Sequence, residues 1–192
     1  MPSLNTDFDD LVRKINDGRG VYHTSFEPIY YLIFSPKKIL EVKRLLPAWE
    51  ARLKNNGWDV HIFSIAEHIS DLFSKAHMRS IKLKADRQNP LDWNRTTASL
   101  GQDLVNGEDH LQKRLESILV KLEDQDKAIL LVTDIESLHP YLRIGAIEAQ
   151  LQGKFGVPTV FLYPGTRHGR TNLRFLGFYP EDGNYRSVHV GD

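Results

Sequence analysis

The chain has no cysteine, which excludes disulfides, thiolate zinc sites and a thiol nucleophile together and suits a reducing compartment. It also has no charge excess, because 25 Lys and Arg balance 25 Asp and Glu over 192 residues. A molecule with no net charge has no long-range field to draw it onto nucleic acid or an anionic bilayer, so only a local basic patch could do so. No apolar run approaches the ~20 residues that span a bilayer, and the opening MPSLNTDFDDLVRKI lacks the basic and apolar regions of a signal peptide. The expectation is a cytoplasmic protein with no membrane association. What is present, 41% hydrophobic and 26% charged residues, is the composition of a globular protein. A length of 192 residues fits one domain, 1–192, with an ample core.

Catalytic motifs are missing as well. The phosphate-loop pattern GxxxxGK[ST] does not occur, and Gly153-Lys154 is followed by Phe155 at a helix end. The dinucleotide pattern GxGxxG, the nucleophile elbow GxSxG and paired histidines at metal spacing are equally absent. The one Glu-x-Lys triplet, Glu41-Val42-Lys43, falls inside a helix rather than on a nuclease strand. Asp134 and Glu136 follow a strand as the magnesium-binding acids of a phosphate-loop ATPase do. The better structural reading has Asp134 capping the next helix or accepting a hydrogen bond from a neighbouring loop. His139 stands near both acids in sequence without forming a metal-binding spacing. The residues therefore name no catalytic group, no cofactor and no metal, and the expectation is a protein that is not an enzyme.

The chain nevertheless has strong periodic order. Leu4, Phe8, Leu11, Val12 and Ile15 mark a helix closed by Gly18 and Gly20, with Asp7, Asp9 and Asp10 as its solvated start. Pro28–Phe34 reads as a strand buried on both faces, after which Ser35-Pro36 should cap and start a helix. That helix carries Ile39, Leu40, Leu45, Leu46, Trp49 and Leu53 inward, is kinked at Pro47 and ends at Asn55-Asn56-Gly57. Trp58–Phe63 is a second strand, completing a strand–helix–strand unit. Ser64 and Glu67 spell a capping box before Ile65, Ile69, Leu72 and Phe73. Ser80–Asn94 is basic and irregular, and helical period returns through Leu100, Leu104, Leu111, Leu115, Ile118, Leu119 and Leu122. Lys127–Asp134 is the clearest buried strand, Ser137–Gln150 the next helix, and Arg186–Val190 the last strand, after a turn at 181–184. This order predicts an α/β fold: a mainly parallel sheet flanked by helices, with a P-loop-NTPase-like core lacking the phosphate loop. The turn that should hold phosphate, Phe34-Ser35-Pro36-Lys37-Lys38, has no glycine, and Pro36 has no N–H to donate.

One stretch stands out, VPTVFLYPGTRHGRTNLRFLG. Two strands, Val160–Tyr163 and Leu173–Phe178, flank a loop of Pro164-Gly165 and Thr166–Arg170. Tyr163, Arg167, His168, Arg170 and Arg174 form the candidate partner-binding set, with Tyr179, Tyr185 and Arg186 nearby. Arginine and tyrosine anchor interfaces because each joins a large contact area to a directed polar end. An ordinary hairpin with solvated arginines fits the same spacing, and Arg/aromatic mixing without a known RNA motif is weak evidence for nucleic acid.

FLYPGTRHGRTNLRFLGFYPEDGNYRSVHV, with LNTDFDDLVRKI and PIYYLIFSPKKI, resembles the BrxB family, small components of the BREX bacteriophage-defence systems. The resemblance implies a non-enzymatic part of a phage-exclusion complex whose direct partner is PglZ, an alkaline-phosphatase-superfamily protein. Beyond PglZ it implies contact with the BREX methyltransferase complex, and with DNA only indirectly or through a local basic patch. The alternatives are a degenerate nucleotide-binding protein and a DNA-binding accessory subunit.

Overall fold

A computed structural model describes residues 3–18, 27–76, 78–106, 109–169, 171–183 and 187–191. Five strands form a parallel sheet: β1 (Ile29–Phe34), β2 (Asp59–Ser64), β3 (Ala128–Thr133), the first part of β4 (Thr159–His168) and β7 (Val188–Gly191). Their spatial order is β2-β3-β4-β1-β7. β1 and β2 are thus parallel but not neighbours, which the strand–helix–strand pattern alone does not reveal. Burial explains the order. β1 and β3 are buried at every position, whereas β2 buries only Val60 and Phe63 and β7 is half-buried at its ends. Strands apolar on both faces belong in the middle of a sheet covered on both sides.

The period of two assigns the side chains to two cores. Tyr30, Leu32 and Phe34 of β1, with Ile129, Leu131, Val160 and Leu162, pack under α1 (Leu4–Gly18) and α2 (Ile39–Asn55). Ile29, Tyr31 and Ile33, with Leu130, Val132, Phe161 and Tyr163, face the opposite layer. That layer holds α3 (Ile65–Lys75), α5 (Trp93–Asn106), α6 (Leu111–Glu123) and α7 (Ile144–Gln150). Phe8 stacks on Trp49 at 4.6 Å and joins the first two helices.

Several local expectations are corrected. Ser35 makes no side-chain cap; Pro36 opens a 3-10 turn over Pro36–Lys38, and the α-helix starts only at Ile39. Leu40 points outward, 67% exposed, and the buried stripe of α2 is Val42, Trp49 and Leu53. The expected helix from Ser137 to Gln150 is two pieces. A 3-10 turn spans Ile135–Leu138, the His139-Pro140 peptide is cis, and α7 begins at Ile144; Pro140 has no N–H to donate to a helical ladder and its ring crowds the preceding turn. Ser80–Asn94 is not irregular: α4 (Arg79–Gln88) fills most of it, and it leaves no periodic trace because no α4 residue is buried. Gly20, Gly107, Asn184 and Arg186 lie outside the described residues.

Candidate functional site: the β4–β5 hairpin and the groups beneath it

The stretch predicted as a loop is mostly strand. β4 runs unbroken through Pro164-Gly165 to His168, leaving the parallel sheet to pair antiparallel with β5 (Asn172–Phe175). Pro164 still sits opposite Phe34 of β1. Lacking an N–H, it ends the ladder on its own side, while its carbonyl accepts from Leu176 N at 2.9 Å. Gly165 is required at the crossover, since a Cβ there would lie 2.5 Å from both the Arg174 carbonyl oxygen and the Tyr163 ring. The expected strand to Phe178 stops at Phe175, because Leu176 and Gly177 turn with φ of 52° and 76°. A two-residue strand, β6 (Glu181–Asp182), completes the projection along β5 where a turn was expected.

The hairpin separates the predicted contact residues. Arg167 and His168 are exposed. Arg174 is half-buried and donates to Glu181 Oε1 at 3.1 Å, and His168 Nδ1 lies 3.4 Å from the same oxygen. Asn172 Nδ2 reaches the other Glu181 oxygen at 3.3 Å, so one carboxylate gathers three side chains of the hairpin. Arg170 lies outside the described residues, as does Tyr185. Tyr163 is a correction: at 1% exposure it is core rather than contact surface. Its ring meets Tyr31 edge-on at 5.5 Å and Phe175 at 5.7 Å, which roots the hairpin in the sheet.

Under that root lies a buried polar cluster that sequence reasoning misses. Tyr31 Oη donates to Glu148 Oε2 at 2.5 Å, and the Tyr31 ring stands edge-on to His189 at 5.7 Å. Burial pushes the Glu148 carboxyl up to about 7, with Glu27 and Asp182 adding to the rise and the Tyr31 hydrogen bond opposing it. Burial pulls His189 down to about 4, helped by the positive charges of Arg167 and Lys14. Ser187 Oγ is 3.1 Å from His189 Nε2. One signal was available: Glu148 occupies the same helical stripe as Ile144 and Leu151, where an apolar residue is expected.

At the carboxyl end of β3, Asp134 adopts the left-handed conformation, φ 58°. It accepts from Ser64 Oγ at 2.7 Å and from Thr133 Oγ1 at 2.9 Å, the neighbouring hydrogen bond that its position suggested, but it makes no helix cap. Ser64 also accepts from Glu67 N at 3.2 Å, so this one hydroxyl caps α3 and ties β2 to β3. Lys43 of α2 reaches between Asp134 (2.6 Å) and Glu136 (2.8 Å). The contact with Glu136 is ionic, without the direction of a hydrogen bond. These donors hold the Asp134 carboxyl below its usual range against the opposing effect of burial, and both carboxylates raise the Lys43 ammonium. His139 does not join them: its Nδ1 is 2.6 Å from Tyr179 Oη, and its ring is edge-on to Phe178.

The family model for BREX protein BrxB matches residues 63–190, two thirds of the sequence. The chain belongs to the BrxB family. Membership points to a component of a BREX phage-defence system. The BrxB match takes in the hairpin, Glu148 and Asp134 and begins after β1 and α2, so Lys43 and Tyr31 lie outside it. No curated protein and no solved structure matches the chain. Among the described residues, no helix is long and apolar enough to cross a membrane.

Proposed function

We propose that the protein is a non-enzymatic adaptor of a BREX complex that binds the PglZ-type component through the β4–β5 hairpin. The observation that carries this reading is the hairpin itself. It leaves the parallel sheet on a rigid root of Tyr31, Tyr163 and Phe175 and holds Arg167 and His168 out to solvent. Binding groups held on a rigid scaffold lose little freedom on association. Arg174, engaged by Glu181, shapes the hairpin, while Arg167, His168 and Arg170 are the contact residues of the proposal. The carboxylate at the centre of the patch favours a protein partner over nucleic-acid phosphate, which it would repel.

The core itself is P-loop-like in this reading, with the phosphate loop lost. Two features support it: the first strand-to-helix turn is a 3-10 turn opened by Pro36, and the acid ending β3 is closed off by Lys43. A lysine held between Asp134 and Glu136 makes the cluster a structural clasp rather than a substrate site.

The test is co-purification of the tagged chain with the PglZ-type protein of the same operon, comparing wild type with Arg167→Glu plus Arg170→Glu. The pair of substitutions should weaken capture by about tenfold or more, as loss of a charged hot spot does. Undiminished capture by a folded double variant removes the hairpin from the interface; no capture by wild type removes PglZ as the partner.

A further inference from the structure

α4 lies outside the two cores, and α5 joins the second core through Leu104 alone. α4 has ten residues and buries none of them, and α5 buries only Leu104. A helix of ten residues is marginal in water on propensity alone and normally depends on a packed apolar face. Here part of the apolar surface, Met78, Ile81, Ala85 and Leu100, faces an open groove of about 940 Å³ between α3, α4 and α5. Met78 and Ile81, 50% and 59% exposed, line one wall, Leu100 lines the other, and Leu72 of α3 lies at the base. The lining positions recur at helical period, 78, 81, 85 and 89 on one wall and 92, 96, 99 and 103 on the other. Each wall is therefore about three turns long, ~16 Å at 1.5 Å per residue. Such a trough accepts a rod rather than a compact ligand.

The rim selects the charge of that rod. Two lysines of the groove are engaged internally, Lys75 with Asp71 at 2.6 Å and Lys82 with Asp103. Asp86, Asp92 and Asp109 remain, with Arg95 as the only further cation among the described lining residues. Carboxylates flanking an apolar trough complement cations flanking an apolar stripe.

We propose that the α3–α4–α5 groove receives a basic amphipathic helix from a partner protein. Apolar side chains at i, i+3 or i+4, and i+7 seat against Met78, Ile81, Leu72 and Leu100, and Lys or Arg on either side meet Asp86, Asp92 and Asp109. The inference rests on the adaptor reading in supposing a protein partner; its surface is distinct from the hairpin.

The test uses the full chain and two labelled 14-residue helical peptides, one with leucines at that spacing flanked by lysines and one with glutamates replacing the lysines. Fluorescence anisotropy should show saturable binding of the lysine peptide, about tenfold or more tighter than the glutamate peptide. Ser99→Arg, or Ala85→Arg should the first variant lose helical circular dichroism, should abolish it. Asp86→Lys plus Asp109→Lys should reverse the preference. Equal binding of both peptides, or unchanged binding by a folded groove-filled variant, overturns the proposal. A dimer in light scattering that Ser99→Arg dissociates assigns the groove to a second copy and also overturns it. Capture of the PglZ-type protein is read separately with the hairpin variant, so either idea can fail alone.

Discussion

Glu148 and His189 show how much a single buried group contributes to the pH response. Glu148 ionises near 7 in the folded chain against an ordinary 4.5, so the unfolded state takes up the charge first and stability falls as pH rises from 4.5 to 7. His189, at about 4 against 6.5, acts in the other direction: its contribution is complete above 6.5 and is lost as pH falls to 4. Each full swing is worth about 3 kcal/mol, and the two largely cancel between 4.5 and 6.5. Glu148→Gln keeps an acceptor for Tyr31 and removes one side of the balance. Relative to wild type, the variant should gain stability as pH rises from 4.5 to 7, by up to about 3 kcal/mol. Urea unfolding of both proteins at pH 5 and pH 8 measures it; an unchanged difference between the two pH values refutes the assignment. His189→Asn should give the opposite slope, gaining on wild type as pH falls from 6.5 to 4.

At the scale of the element, the β4–β5 hairpin depends on one missing Cβ. Gly165 brings the β4 backbone against the Arg174 carbonyl, so Gly165→Ala should cost about 1–3 kcal/mol by overpacking at a site where backbone, not a flexible side chain, stands in the way. Thermal unfolding measures this as a fall of several degrees in Tm, roughly 2–4 °C per kcal/mol at this chain length. A Tm within one degree of wild type would mean that the strand shifts freely. Elements were legible in the sequence in proportion to the apolar surface they bury. α1, β1 and β3 are fully patterned and appear where expected, whereas α4 has helical residues without a buried stripe and reads as irregular. Pro164 and Gly165, normally turn residues, sit inside β4 because this strand leaves one sheet and enters an antiparallel pairing at that point.

Across the whole molecule, the Lys43 clasp joins α2 and the carboxyl end of the β2 that follows it to the carboxyl end of β3, 70 residues beyond Ser64 at Asp134. Lys43→Ala should leave Asp134 and Glu136 facing each other without a counter-ion. The cost is about 1 kcal/mol near neutrality, held down because Lys43 is 47% exposed and screened by water. Asp134 is held below its ordinary 3.8, so its contribution is present above that pH and lost as pH falls further. The Lys43→Ala deficit should therefore shrink below pH 4, as chemical unfolding across pH 3 to 7 would show; a constant deficit would mean that packing, not charge, is what Lys43 supplies.

The amino-acid sequence by itself determined the α/β class, the buried strands, most helices and the lack of net charge, because each is written in local periodicity and composition. Only the tertiary structure decided the strand order β2-β3-β4-β1-β7, which depends on comparing the burial of strands far apart in the chain. The structure likewise turned Tyr163 from a contact residue into a core residue, brought Tyr31, Glu148 and His189 together, and opened the groove between α3, α4 and α5. Tyr163 and the Tyr31–Glu148–His189 cluster are juxtapositions that no window of sequence contains, and the groove, though built from the one stretch 71–109, depends on how three helices pack, which periodicity does not record.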